Sequence, residues 1–383
     1  MRFVLVGPSA PLRGGIAIEN DALAHALLQA GHTIEQVSFS RLYPSLFFPG
    51  RTQFDNPTGS PGQSHTRLCL DSVNPLSWRK TARTIKRLWP HRVTFQWWHP
   101  LFAPCYATIL ASLKQTCPEV TRILISHNTR PHERMPGQDL ALRLVARFCN
   151  EIVVHSRSEY DLTTKLAPGA LVHIVDYPLL GKARTLPDRE DAQRRLGVSG
   201  RVLLFFGYVR KYKGLDLLLR ALAQVPTDLA VSLLVAGEFY EPVKQYRELV
   251  QTLGLTKRVR ILDHYIGESE WPDLFAASDA LVLPYRAASQ SMSIALAYEF
   301  GKPVIVSRVG GLAEVVEDGR TGLISTPEPM ALAEAIQRLY TELLLNAYQT
   351  HIDARRQRLG WEPFIRVLTG KLDPTVQSSV LTV

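Results

Sequence analysis

Short apolar runs alternate with longer helical stretches from one end of this chain to the other, and that alternation restricts the fold more than any other feature. In the first half RFVLVG, HTIEQVSF, RVTFQW, RILISH and EIVVHS carry the β-branched and aromatic residues of strands. RVLLFFG, AVSLLVAG, RVRIL, ALVLPY and KPVIVS do the same in the second half. Helical periodicity fills the gaps. IAIENDALAHALLQAG puts Leu23 and Leu27 on one face and stops at Gly31, and further helices are predicted near 76–89, 101–115, 138–149 and 158–166. Strands separated by helices require parallel sheets built from right-handed βαβ units. At 383 residues the chain exceeds one ordinary core. The expected fold class is therefore α/β, with two doubly wound Rossmann-like domains facing across a cleft. Prolines interrupt the periodicity in DYPLLGKARTLPDRED, residues 176–191, and the join is expected there. The division reads 1–178, 179–355 and a final 356–383, a helix returning toward the first domain and a tail, DPTVQSSVLTV, without helical pattern.

Composition excludes several classes. With 46% apolar and 21% charged residues the chain is globular, not disordered. MRFVLV reaches Gly7-Pro8 too soon for a secretory h-region, and no apolar run approaches the roughly 20 residues of a membrane span. Cys69, Cys105, Cys117 and Cys149 lack CxxC spacing and read as reduced core residues of a cytoplasmic protein. The net charge of +9 points to acidic partners, yet no nucleic-acid-binding motif accompanies it.

In open parallel sheets the ligand sits outside the carboxyl ends of the strands, so the strand-end loops carry the functional signal. GPSAPLRGGIAIEN places Gly14 and Gly15 directly before a helix, where their amides could approach an anion; a plain turn explains them equally well. The loop is neither a P-loop nor GxGxxG. ISHNTRPHERMPG gathers His127, Asn128, Arg130, His132 and Glu133 at the end of an apolar strand, the density of polar groups expected of a site. His127, His132 and Glu133 do not share a helical face, so no metal is expected there. FFGYVRKYKGLDLLLRALAQ runs from a strand through Gly207 into Arg210, Lys211 and Lys213, and Gly214 opens the next helix. Such crowded positive charge suits a diphosphate, with Arg210 and Lys213 on one side and a helix N-terminus on the other. SRVGGLAEVVEDGRTG repeats the device with Gly310 and Gly311 ahead of a short helix bearing Glu314.

These stretches resemble the GT-B glycosyltransferases, specifically the retaining enzymes of glycosyltransferase family 4. The resemblance runs nearly the whole length and is clearest in GYVRKYKGLDLLLRALA, ASDALVLPY, FGKPVIVSRVGGLAEVVEDGRTGLI and GWEPF, which match in order and spacing. The first half adds the Gly14-Gly15 loop, VVHSRSEYDL and the HNxxPHE stretch of a bacterial subgroup that builds surface polysaccharide or glycolipid. The resemblance implies an acceptor-side first domain, a nucleotide-sugar-binding second domain, a nucleotide-diphosphate sugar as donor, and transfer with retention and without metal or other cofactor. It gives Lys213 and the Gly15 amide to the donor diphosphate, His127 to the transferred sugar near the reacting carbon, and Gly310 to Glu314 to sugar and phosphate. Physically, cationic side chains and amides would take the leaving-group charge that a metal takes elsewhere.

The chain departs from the family in two places. Tyr208 stands where family members carry arginine, and Arg210 is the substitute. The places of the usual glutamate pair, counted back from Gly301, hold Ala288 and Leu296. Ser289, Gln290 and Ser291 lie near the first, and Glu299 lies a helical turn beyond the second; these are the expected replacements. A GT-B relative that binds a nucleotide or glycan without catalysis is the alternative that the missing glutamates favour.

From Ser72 to Pro118 there is no acidic residue, while Arg79, Lys80, Arg83, Lys86, Arg87, Arg92 and Lys114 all fall inside. NPLSWRKTARTIKRLWP, residues 74–90, spaces Arg79, Arg83 and Arg87 at i, i+4 and supplies Trp78, Ile85, Leu88 and Trp89. Two readings stay open: a helix lying on an anionic membrane, or one covering the sheet with its outer face solvated. The first implies a lipid-linked acceptor and a peripheral protein of the inner membrane face.

Overall fold

The computed structural model describes residues 1–44, 48, 50–54, 66–130, 135–181, 185–341 and 344–371. The tail expected to lack helical pattern, and His132 and Glu133, lie outside them. The chain divides into two compact units, Met1–Pro178 with Gly360–Val383, and Leu179–Leu359. The last division thus falls at Leu359, because the helix that contains the expected 355/356 boundary runs on to Arg358.

The first unit runs β1 (Arg2–Val6), α1 (Gly15–Gln29), β2 (Thr33–Arg41), β3 (Thr66–Asp71), α2 (Pro75–Arg87), β4 (Arg92–Trp97), α3 (Ala103–Thr116), β5 (Thr121–Ser126), α4 (Gln138–Ala146), β6 (Glu151–Val154), α5 (Arg157–Leu166) and β7 (Leu171–Ile174). The second runs α6 (Arg189–Leu196), β8 (Arg201–Phe206), α7 (Leu215–Gln224), β9 (Val231–Ala236), α8 (Val243–Thr252), β10 (Val259–Leu262), α9 (Trp271–Ala277), β11 (Ala280–Leu283), α10 (Met292–Glu299), β12 (Val304–Ser307), α11 (Leu312–Val315), β13 (Gly322–Ser325), α12 (Pro329–Thr341) and α13 (Leu344–Arg358). The final helix, α14 (Trp361–Thr369), belongs to the first unit.

Every strand pairing is parallel. The strand orders are β3-β2-β1-β4-β5-β6-β7 and β10-β9-β8-β11-β12-β13. Each order reverses once, between β1 and β4 in the first sheet and between β8 and β11 in the second. Those are the topological switch points, where an open parallel sheet leaves a crevice at its carboxyl edge. Three strands escape the sequence pattern, β3, β7 and β13, and all three lie at sheet edges. β3 exposes Arg67 and Leu68 and β7 exposes Leu171, which weakens their apolar signal, while β13 is buried but short and opens on Gly322.

Burial of both sheet faces explains the unbroken apolar strands. In β1 Val4 and Val6 join Phe95, Tyr106 and Leu110 on one face. Phe3 and Leu5 join Leu23, Leu27, Ile125, Phe364 and Leu368 on the other. α14 therefore completes the core on the α1 side of the first sheet. α2 buries Thr81, Ala82 and Ile85 against the opposite side, and Trp78 and Leu88 pack there too. Trp89 does not: it is 73% exposed, as is Leu76 at 74%.

Backbone crowding at the second switch point depends on glycine. Gly214 caps α7 at φ 69°, and a Cβ there would stand 2.1 Å from the Pro284 carbonyl oxygen. Gly214→Ala combines a left-handed backbone with that clash. We expect a loss of roughly 2–4 kcal/mol, read as a lower denaturation midpoint at unchanged m-value.

Candidate functional site

In the second unit β8 ends at Phe206 and the chain turns through Gly207 at φ 98° into a single helical turn, Lys211–Lys213. A Cβ on Gly207 would lie 3.2 Å from Lys213 Nζ, so the glycine clears the room the ammonium occupies. Lys213 is partly buried, with Nζ 5.4 Å from the ring centroid of Tyr285. Desolvation pushes its pKa down; Tyr212 opposes this and Arg210 adds to it. Among the described residues no carboxylate pairs with Lys213. Arg210 stacks its guanidinium 4.7 Å from the Tyr240 ring, and Tyr208 packs 4.8 Å from the same ring, so Tyr208 is an aromatic support where the resemblance expects a charge.

Asp216, at the start of α7, is already spent on bracing. Arg286, just after β11, makes a two-pronged ion pair with Asp216 at 2.8 and 2.7 Å and also donates to the Lys211 carbonyl at 2.9 Å. Its backbone N–H donates to Tyr212 O at 2.7 Å. The basic turn is thus held from the far side of the switch point, while Arg210 and Lys213 have no carboxylate partner among the described residues.

The serine-rich turn and the glycine turn come together. Gly311 N donates to Ser289 O at 3.1 Å, and Gln290 Nε2 donates to Gly311 O at 3.2 Å. Gly310 sits at φ 45°, and a Cβ there would fall 1.7 Å from the Ala288 carbonyl oxygen. Ser291 caps α10, accepting from Ser293 N at 3.3 Å. Glu314 is exposed on α11. Glu299, expected to join this group, does not. It ends α10, roughly 12 Å along the helix from Ser291. Its carboxylate is 3.0 Å from Leu180 N and lines a separate cavity of about 330 Å³ with Lys302, Gln349 and Arg356. Leu296 is core, at 0% exposure. The burial that helix α10 needs there leaves no place for a carboxylate to reach a ligand.

In the first unit the loop after β1 carries Gly14, the α1 cap at φ 112°, and Gly15, the first residue of α1. His127 follows β5 and is 9% exposed. Its ring is engaged on both edges: Nε2 lies 2.7 Å from Gln96 Oε1 and Nδ1 lies 3.2 Å from Glu19 Oε2. Gln96 passes close over Gly7, whose Cβ would stand 2.5 Å from Gln96 Cγ. The Tyr177 hydroxyl donates to Glu19 Oε2. Burial raises the Glu19 carboxyl to about 8, against a smaller lowering by Tyr177. Burial also drives His127 well below the usual imidazole range and His155 down to about 4. Arg130 is occupied by Asp139 at 2.6 Å on the surface, away from this network.

Glu19, Asn20, Gln96, His155 and Tyr177 were not candidates from sequence. A signal existed: Glu19 shares the helical stripe of Leu23 and Leu27, and Gln96 interrupts the apolar run RVTFQW. A polar residue on a buried stripe needs a partner, which is a reason to suspect a network. Among the described residues, Glu19, His127 and His155 also form the one group whose donor atoms, within 4.8 Å of one another, could hold a metal ion. The Glu19–His127 spacing is that of a hydrogen bond, and His155 Nδ1 lies 3.0 Å from the Val175 carbonyl oxygen.

Residues 200–342 match the family model of glycosyl transferases group 1. Over 220 residues the chain is 30% identical to D-inositol 3-phosphate glycosyltransferase of Corynebacterium diphtheriae, covering 55% of this chain and 48% of that protein. The chain spans about half the length of the curated relatives it matches. Sucrose-phosphate synthase of Thermosynechococcus elongatus superposes with a TM-score of 0.74 at 19% identity, over 99% of both chains. Anabaena HepE in complex with UDP-glucose does so at 0.75 and 18%, over 96% of this chain and 98% of that one. The two parallel-sheet units are those of the GT-B fold.

The buried carboxyl has a consequence for stability. Glu19 binds its proton more tightly folded than unfolded, so its contribution is complete below the unfolded value of 4.5 and is lost as pH rises toward about 8. His127 and His155 are shifted the other way: folded they stay neutral, and unfolded they lose their protons around pH 6.5, so they drop out of the balance only about one unit higher. From about pH 7.5 to 8 the wild-type protein should lose stability with a slope on the order of 1 kcal/mol per pH unit, and Glu19→Gln should remove that loss. Denaturant titrations at several pH values read it directly.

Proposed function

We propose that this protein transfers a sugar from a nucleotide-diphosphate sugar to a glycan or lipid-linked acceptor, retaining the anomeric configuration, in the synthesis of a surface polysaccharide or glycolipid. The observation that carries this reading is Lys213: a desolvated ammonium at a topological switch point, beside Arg210, with no carboxylate paired to it among the described residues. The group 1 glycosyl transferase match over residues 200–342 and the UDP-glucose complex of HepE support it.

In this reading Lys213 and Arg210 receive the diphosphate, Gly207 leaves space for the ammonium, and the joined turns of Ser289–Ser291 and Gly310–Gly311, with Glu314, receive phosphate and sugar. Gly14, Gly15 and His127 are the first-unit residues assigned to the donor. Glu299 is withdrawn from the site because its carboxylate is tied to Leu180. The acceptor hydroxyl oxygen bonds to the anomeric carbon as the bond from that carbon to the diphosphate oxygen breaks, and the hydroxyl proton passes to the departing diphosphate on the same face. Charge grows on that diphosphate, and fixed cations and amides are suited to it without a metal ion. A second reading, nucleotide or glycan binding without catalysis, draws on Ala288 and on the core position of Leu296.

The outer face of α2 favours a membrane-bound acceptor. Arg79, Lys80, Arg83, Lys86 and Arg87 are exposed and make no ion pair among the described residues, with Leu76 and Trp89 exposed at the two ends. No described helix is long and apolar enough to cross a membrane. The proposal is peripheral attachment to the inner face, basic groups on lipid phosphates and Trp89 in the interface.

Thermal shifts with UDP, GDP, ADP, CMP and dTDP test the donor site. One nucleotide at about 100 times its Kd should add roughly 2.7 kcal/mol, and Lys213→Ala should remove the shift. Binding without transfer from any sugar nucleotide selects the second reading, and transfer abolished by a chelator refutes metal independence. For the membrane, flotation should recover the protein with anionic vesicles and not neutral ones. Arg79, Arg83 and Arg87 all changed to Ser should cost roughly 3 kcal/mol of that binding; equal recovery on both lipids ends the idea.

A further inference from the structure

The hydrogen bonds that begin at the Pro8 carbonyl have one consistent direction. That oxygen only accepts, so Asn20 meets it with Nδ2 at 3.0 Å and turns Oδ1 toward Gln96. Gln96 Nε2 donates to Asn20 Oδ1 at 3.0 Å, which leaves Gln96 Oε1 to face His127 Nε2 at 2.7 Å. A carbonyl oxygen there requires an N–H, so His127 carries a proton on Nε2. Its Nδ1 then meets Glu19 Oε2 at 3.2 Å, and a single further proton lies between carboxyl and ring. Tyr177, after β7, holds the same carboxyl oxygen.

We infer that Glu19 is a positioning residue: its carboxyl locks the His127 ring in the Nε2–H tautomer and keeps the one remaining proton behind that ring, with Tyr177 locking the carboxyl in turn. This rests on the reading that His127 borders the transferred sugar.

The chemistry gives the arrangement a purpose. As the diphosphate departs, positive charge grows on the anomeric carbon, and an imidazolium beside it would repel that charge. With the proton on Glu19 the ring stays neutral, and burial favours that distribution by raising Glu19 and lowering His127. The groups around the pair agree. His155, after β6, is neutral, with Nδ1 3.0 Å from Val175 O; Asp21, on the Glu19 helix, is turned to Ala10 N and Gln36 Nε2. Asp176 acts on His155 and is exposed. Sequence places Glu19 four residues after Gly15, so the helix that presents the glycine amides also presents this carboxyl.

The test compares Glu19→Ala, Glu19→Gln and Tyr177→Phe in the full chain. Glu19→Ala should lower kcat about 10- to 100-fold, the range for losing a residue that orients a histidine, with the donor KM within about twofold. Glu19→Gln should restore most of that rate, because an amide nitrogen in the place of Oε2 can donate one N–H to Nδ1 and the other to the Tyr177 oxygen. Its kcat should stay flat from pH 7 to 9, where the wild-type rate falls as Glu19 loses its proton. Tyr177→Phe should lie between. Histidine-selective ¹⁵N spectra, assigned with His127→Asn, should show the Nε2–H tautomer in the wild type and its loss in Glu19→Ala. Unchanged kcat in Glu19→Ala, an Nδ1–H tautomer in the wild type, or a stoichiometric metal bound through Glu19 and His127 would each overturn the inference. If the wild type transfers no sugar, the functional reading falls, while the spectra still decide the role of Glu19. Nucleotide shifts through Lys213 should be the same in all three variants.

Discussion

Both faces of each parallel sheet are sealed by helices, and everything chemical in this protein follows from that. A polar side chain along β1 or β8 would be buried with no partner, at a cost of about 1–3 kcal/mol. Strand interiors are therefore apolar, and polar groups collect where the strands stop. The reversal of strand order opens a crevice at one point of each carboxyl edge. Lys213 and the loop joining Gly207 to Gly214 occupy that point in the second unit; Gln96, His127 and the loop before α1 occupy it in the first.

The two switch points handle charge in opposite ways. In the second unit the available carboxylate, Asp216, is consumed by Arg286, and the ammonium of Lys213 is left against a tyrosine ring. An anion from outside would offset the cost of desolvating that ammonium. In the first unit the charges cancel within the protein: a carboxyl raised by burial and an imidazole lowered by it share one proton. The second unit's crevice keeps a positive charge, and the first unit's cancels its own.

Close packing of backbone makes both arrangements possible. Gly7, Gly207, Gly214 and Gly310 each stand where a Cβ would strike a side chain or a carbonyl that the site uses. From sequence these glycines read as turns or amide donors. Their role in the structure is spatial: Gly207 leaves room for an ammonium, and Gly310 lets the serine-rich turn come into contact.

Much of this was legible in the residues. The alternation of strand and helix determined two doubly wound units, and the GYVRKYKG stretch determined where uncompensated positive charge would lie, because strand, glycine and helix periodicity are local. Edge strands β3 and β7 were not legible, since partial exposure blurs the pattern, and β13, though buried, is only four residues long and opens on glycine. Glu299 was misread because nearness in sequence to Ser291 says nothing of opposite helix ends; its carboxylate went to Leu180. Glu19, Gln96 and Tyr177 lie far apart in the chain, on α1, at the end of β4 and after β7, and no local rule links them. Only tertiary structure decided that they meet at His127, because a buried polar atom accepts whichever partner the packing brings within hydrogen-bond reach.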